Sequence, residues 1–156
     1  MQSDSDRSRI RQQLAGHPFM QGLEPHYVDV FVELGRVAEF EARDIIFRTG
    51  QPADTFYLVR SGVVALQVEA GGAYPRTISH LTEGSALGWS WLFEPHEWQF
   101  DAVAQTPVRT IAFDAVALRD HFSNDPICGY HIMARVAEVM ARRLHATRHQ
   151  LLHQAP

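Results

Sequence analysis

From Arg36 to Phe113 the apolar residues recur with a period of two in short runs, and no stretch of helical spacing interrupts them. This restricts the chain more than any other feature, because alternating residues of a strand point to opposite faces and only a sheet can use that pattern. Candidate strands are residues 36–41, 45–47, 55–60, 63–69, 74–81, 101–104 and 108–113. Turn chemistry separates them: Thr49-Gly50-Gln51-Pro52, Ser61-Gly62 and Ala70-Gly71-Gly72-Ala73. Seven or eight short strands with no helices between them predict a mainly β domain, an antiparallel sandwich or jelly roll (β-roll).

Helical signals flank this region. Residues 1–6 are polar and are expected to fray, and residues 7–15 can form a short helix with Ile10 and Leu14 on one face, closed by Gly16. Residues 17–23 read as a further turn. Pro25 suits the first position of a helix that reaches Leu34, with Val28, Phe31 and Val32 as its apolar stripe and Gly35 as its stop. After the strands, Asp114 can cap a short helix through Phe122, and Asp125-Pro126 signals the start of a long one. This last helix, residues 126–152, would be roughly 40 Å long. Met133, Ala137, Met140, Leu144, Thr147 and Leu151 recur along it at steps of 4, 3, 4, 3 and 4. That is a coiled-coil seam, and it predicts a parallel homodimer through this helix.

The length of 156 residues suits one globular domain. We divide it into a tail and short helix, 1–16, and a main domain, 17–156. The net charge is −4, yet residues 129–156 carry Arg135, Arg142, Arg143 and Arg148 against Glu138 alone. The chain has no lysine. A single cysteine, Cys128, excludes an intramolecular disulfide and suits a reducing cytoplasm. The N-terminus has no apolar signal segment, and no run approaches a membrane span, so a cytoplasmic protein is expected.

One stretch carries unusual chemistry. Between Gly84 and Ala104 lie all three tryptophans, and five of the chain's sixteen aromatics (Trp89, Trp91, Phe93, Trp98, Phe100) fall in twelve positions. Gly84 and Gly88 allow a tight turn. The run 89–93 can then form one helical turn whose amides face a ligand, which is how phosphates are often held. Aromatic side chains at this density either line a pocket or fill one.

Read in order, the motifs HPFMQGL, IIFRTGQPADTFYLVRSGVVALQV, HLTEGSALG and FSNDPICGYHIMARVAEVMARRL resemble the cyclic nucleotide-binding domain of the catabolite-activator and FNR class of bacterial regulators, over residues 17–150. The resemblance implies a β-roll with a long dimer helix, and identifies residues 84–104 with the phosphate-binding cassette. In cyclic AMP-binding members of that family a glutamate follows the second glycine and an arginine stands near the cassette's end. Here those positions hold Trp89 and Gln99 or Phe100. Charged hydrogen bonds are worth about 1.5–3 kcal/mol each, so losing two anchors weakens binding by about two to four powers of ten. Asp101 would add repulsion. The candidate ligand-binding positions are Gly88, Trp89, Ser90, Trp91, Leu92, Trp98, Gln99, Phe100 and Asp101.

These residues predict a non-enzymatic, stand-alone regulatory module without a DNA-binding domain, since the chain stops at Pro156. It would not bind cyclic AMP in the usual way and would act through a protein partner. The resemblance extends to short domains that accompany redox enzymes, so an accessory subunit of a larger enzyme complex is one form of this reading. The alternative is a genuine sensor of a cyclic nucleotide or another small ligand at residues 88–102, with Arg60, Arg76 or Arg109 replacing the missing arginine. No cofactor motif, metal-hydrolase motif or framed nucleophile is present, and neither His80 nor His96 beside Asp101 makes one. His145, His149 and His153 share a helix face at chelating spacing but read as a solvated terminus. Cys128 reads as buried.

Overall fold

The computed structural model describes residues 3–154 apart from 70 and 73. By backbone packing it comprises two units, residues 1–120 and residues 121–156. The first begins with helix α1 (Asp4–Ala15), a 3-10 turn (Pro18–Met20) and helix α2 (Pro25–Leu34). Strands β1 (Gly35–Phe40), β2 (Ile45–Phe47), β3 (Thr55–Ser61), β4 (Val64–Val68), β5 (Arg76–Leu81), β6 (Asp101–Ala104) and β7 (Val108–Asp114) follow. Helices α3 (Ala115–Asn124) and α4 (Pro126–Gln154) complete the chain.

The strands form two antiparallel sheets, β1-β7-β3 and β2-β6-β4-β5. Phe56, Leu58 and Val59 of β3, Val64 to Leu66 of β4, Ala102 and Ala104 of β6, and Ile111 to Phe113 of β7 are all buried. This is the β-roll that the period-two pattern predicts. Gly62 turns β3 towards β4 at φ +95°, and a Cβ there would lie 2.3 Å from the Pro107 carbonyl oxygen. Only glycine meets both conditions.

Most boundaries differ from the sequence reading by one to three residues, two of them for a plain physical reason. Helix α1 starts at Asp4 instead of Arg7, because the Ser3 hydroxyl accepts the Asp6 amide at 3.1 Å as an N-cap. Asp4 and Asp6 then lie in the first turn, where the helix dipole favours them. The expected strand 74–81 begins only at Arg76, since Pro75 has no N–H for the ladder, and Tyr74 is exposed. Two residues of the expected turn at 70–73, Ala70 and Ala73, lie outside the described residues.

The helical hairpin is pinned on both sides. Ile10 and Leu14 of α1 and Tyr27, Phe31 and Val32 of α2 are buried, while Arg11 pairs with Asp29 at 2.5 Å and Arg7 with Glu33 at 3.3 Å. His17 ties the following turn to the roll. Its Nδ1 accepts the Phe19 amide and its Nε2 donates to the Val59 carbonyl, each at 3.2 Å. Only the neutral ring makes both bonds, because a protonated Nδ1 can no longer accept the Phe19 amide, whereas Nε2 donates in either state.

Burial, the largest cause, holds the His17 pKa below its ordinary 6.5, and Arg60 adds to the effect; the Val59 hydrogen bond and Glu83 oppose it. The unfolded chain therefore takes up the proton first, so His17's contribution is intact above pH 6.5 and is lost as pH falls through 6.5 towards the folded value. We expect the melting temperature to fall between about pH 7.5 and about pH 5.5, with a shallower fall in His17→Gln. Parallel slopes for the two proteins would refute this assignment.

In the second unit, α4 carries buried Cys128, Ile132 and Val136 on one face. Met133, Ala137, Met140, Leu144, Thr147 and Leu151, the predicted seam, are all exposed.

Candidate functional site

Residues 84–101 form one continuous strap over the roll. Its first part runs antiparallel to β3: the Val59 amide donates to the Ser85 carbonyl at 2.8 Å and the Leu87 amide to the Tyr57 carbonyl at 3.1 Å. Gly88 then reverses the chain at φ +127°. Two tight turns follow, closed by Leu92 N–H to the Trp89 carbonyl at 2.9 Å and His96 N–H to the Phe93 carbonyl at 2.8 Å. The expected helical turn at 89–93 is thus a hydrogen-bonded turn and not a helix, and it supplies no helix terminus for an anion.

The last part of the strap is zipped to the loop between β2 and β3. Gly50 N–H donates to the Trp98 carbonyl at 2.8 Å, Trp98 N–H to the Gln51 carbonyl at 3.0 Å, and Ala53 N–H to the His96 carbonyl at 2.7 Å. Asp101 Oδ1 accepts the Thr49 amide at 2.7 Å. The carboxylate expected to repel a phosphate is therefore engaged in holding this loop. Gln99 is exposed and donates from Nε2 to the Glu97 carbonyl at 3.0 Å.

The tryptophans point inward. Trp91 is fully buried and stacks on Phe56 with ring centres 4.6 Å apart. Trp89 is 8% exposed and packs between Phe19 and Phe56, at 5.9 and 5.7 Å. Trp98 lies almost parallel to Phe47, at 3.7 Å and 6°. Phe100 and Trp98 close on Gly88, where a Cβ would meet the two rings at 3.0 and 3.3 Å. Ser90 and Leu92 are half-buried between these anchors. Arg119 of α3 donates to the Trp91 carbonyl at 2.6 Å and clamps the turn from outside. The indole nitrogens of Trp89 and Trp91 are buried and meet no hydrogen-bond partner among the described residues.

Beside the strap's end lies an open cleft of about 470 Å³ lined by Arg48, Thr49, Val68, Glu69, Gln99 and Asp101. Arg48 is the cation here, and sequence reasoning missed it. Arg60, Arg76 and Arg109 are not in the lining, and Arg109 faces Glu39 at 3.7 Å. The zip between residues 50–53 and 96–98 brings Arg48 close to Gln99, a proximity that no local pattern encodes.

The cyclic nucleotide-binding domain family matches residues 37–125, more than half of the chain. This chain belongs to the cyclic nucleotide-binding domain family. It is 26% identical over 138 residues to a CRP-like cAMP-activated global transcriptional regulator of Mycobacterium tuberculosis, covering 88% of this chain and 60% of that protein. It is 27% identical over 114 residues to a cAMP-dependent protein kinase regulatory subunit of Dictyostelium discoideum, covering 72% of this chain and 35% of that one. The domain thus spans less than two thirds of these curated relatives. Among solved structures, a Geobacter metallireducens protein described as cyclic nucleotide-binding superposes with a TM-score of 0.76 at 25% identity, covering 93% of this chain and all of that one. The catabolite activator protein of Thermus thermophilus superposes at 0.67 with 27% identity, covering 86% of this chain and 61% of that one.

The two curated relatives are a transcriptional regulator and a kinase regulatory subunit, and the fold here is the cyclic nucleotide-binding roll with its strap at residues 84–101. No helix among the described residues is long and apolar enough to cross a membrane. On α4 the His149 and His153 rings sit 4.0 Å apart, and His153 Nδ1 is 2.9 Å from the His149 carbonyl oxygen, so that nitrogen is turned to its own helix. Cys128 is buried, as expected; burial first, and the Asp125 charge second, push its thiol pKa up.

Proposed function

We propose that this cyclic nucleotide-binding domain is a non-enzymatic regulatory module whose cassette is occupied by its own side chains and whose output is contact with another protein. The closure of Phe100 and Trp98 on Gly88 carries this reading. Close to the reversing glycine, aromatic carbon takes up volume that a ligand would need. Trp89 stands at the family's glutamate position and is packed between Phe19 and Phe56. Opening this space for a ribose phosphate means exposing large apolar rings, at about 25 cal/mol per Å² of apolar surface.

The regulatory relatives support a module that works by association. Its own pairing through α4 fits the exposed seam of Met133, Ala137, Met140, Leu144, Thr147 and Leu151. A cytoplasmic accessory subunit of a larger enzyme complex is one form of this reading.

A small-ligand sensor is the second reading, and the cleft at Arg48 and Gln99 is what favours it, since its volume suits a small molecule. Its charge argues against a phosphate: Arg48 is opposed by Glu69 and Asp101. Thermal-shift measurements with cyclic AMP and cyclic GMP decide between the two. We expect no saturable shift with either nucleotide up to about millimolar concentration, the range left after two lost anchors. A saturable shift at micromolar cyclic nucleotide would overturn the self-filled cassette, and its loss in Arg48→Ala would move the ligand to the cleft.

A further inference from the structure

Away from the strap, the junction of α3 and α4 gathers three metal-ligating side chains, all within the second unit. The Asp125 amide donates to the His121 carbonyl at 2.8 Å, which sets the two residues one helical turn apart on one face. Asp125 then caps α4. Its Oδ1 accepts the Cys128 amide at 3.2 Å, leaving Oδ2 turned towards His121 Nε2 at 3.7 Å. The ligand atoms of His121, Asp125 and Cys128 all lie within 4.8 Å of one another. Gly129 supports this arrangement: a Cβ there would sit 3.2 Å from Phe122 Cβ, so the first turn of α4 approaches the end of α3 as closely as backbone permits.

We propose that His121 Nε2, Asp125 Oδ2 and Cys128 Sγ form a site for one divalent transition-metal ion of the zinc and cobalt type. The His121–Asp125 separation of 3.7 Å is too long for a hydrogen bond. It is close to the spacing of two ligand atoms around a tetrahedral ion with bonds of about 2.0–2.2 Å. A thiolate with an imidazole selects zinc, cobalt or nickel over magnesium or calcium, which prefer oxygen ligands throughout. Three protein ligands leave a fourth position for water. Binding exchanges the Cys128 thiol proton for the ion and releases that proton to solvent. The consequence for the fold is a clamp: the ion would fasten the last turn of α3 to the first turn of α4 through side chains three and four residues apart.

Titration of the full chain with Co²⁺ tests this. We expect one ion per chain, thiolate-to-cobalt charge-transfer absorption in the near ultraviolet, d–d bands of a four-coordinate ion in the visible, and displacement by Zn²⁺. Cys128→Ser should remove the charge-transfer absorption. His121→Gln, at a half-exposed position, leaves the packing intact and should weaken Co²⁺ binding at least about tenfold, the loss that removing even a ligand's outer hydrogen-bond partner brings. It decides the matter if Cys128→Ser does not fold. The paired change His149→Gln and His153→Gln should leave the titration unchanged. The site is refuted if no stoichiometric absorption develops, if absorption survives both Cys128→Ser and His121→Gln, or if it disappears only with the His149 and His153 changes.

Discussion

Trp91→Ala is expected to lower stability by about 3–5 kcal/mol, the range for removing a large buried aromatic side chain. Trp91 is fully buried against Phe56, and Phe56 in turn meets Phe19, Trp89 and Phe113, so the indole covers the ring at the centre of an aromatic cluster. For a domain of this length that loss corresponds to a fall of roughly 10–15 °C in melting temperature. Trp91→Phe should behave differently. It keeps a ring over Phe56, and it removes an indole N–H that is buried without a partner, a group that costs about 1–3 kcal/mol to leave unpaired. The lost volume and the removed orphan donor act in opposite directions, so a change within about 2 kcal/mol is expected. The alanine variant also offers a direct probe of the self-filled cassette. An apolar cavity lined by aromatic rings should bind a small aromatic molecule, and indole should restore several degrees of the lost melting temperature. Equal melting of Trp91→Ala and wild type would mean that the indole does not pack as described.

This result bears on why the fold was more legible in the sequence than the site. Strand positions follow from local information: alternation, Gly62 in a turn that requires positive φ, and Pro25 and Pro126 at the first positions of helices. The errors in the boundaries were local as well. Ser3 with Asp6 is a capping signal that a polar, charged start concealed, and Pro75 removes a donor from the beginning of β5. The direction of the tryptophans is a different kind of question. Trp89, Trp91 and Trp98 are buried by Phe19, Phe47 and Phe56, which lie more than thirty positions earlier in the chain. Their density was visible in the sequence, but their partners were not.

The same distinction explains the polar residues of the strap. Asp101 reads as an obstacle to an anion when considered beside Gln99, yet its carboxylate holds the Thr49 amide across a sheet. Arg48 stands next to a glycine turn with nothing to mark it, and the pairing of β2 with β6 and of 50–53 with 96–98 brings it to the strap. The His121, Asp125 and Cys128 spacing, by contrast, is entirely local. It is written as i, i+4 and i+7 across a helix junction, and reading Asp125 only as a cap hid it.

The second large effect concerns α4. In the proposed parallel pair, each seam residue faces its own copy across the two-fold axis, so a charge introduced there meets a like charge. Met140 and Leu144 are 44% and 63% exposed in the single chain and are neighbours along the seam. Burying a side chain of this type stabilises by about 1.5–3 kcal/mol, roughly half of which remains available at such exposures. Four side chains at the interface then contribute about 3–6 kcal/mol, equivalent to two to four powers of ten in the dissociation constant. The double change Met140→Glu with Leu144→Glu removes this contribution and adds repulsion between facing carboxylates. Sedimentation should therefore show a dimer for the wild type at tens of micromolar and a monomer for the variant, a weakening of at least about a hundredfold. The melting of the individual domain should change little, since both positions are already solvent-exposed. Ala146→Glu, an exposed position outside the seam, should remain dimeric. A wild-type monomer at these concentrations, or a double variant that remains dimeric, would remove the seam from any account of how this domain associates.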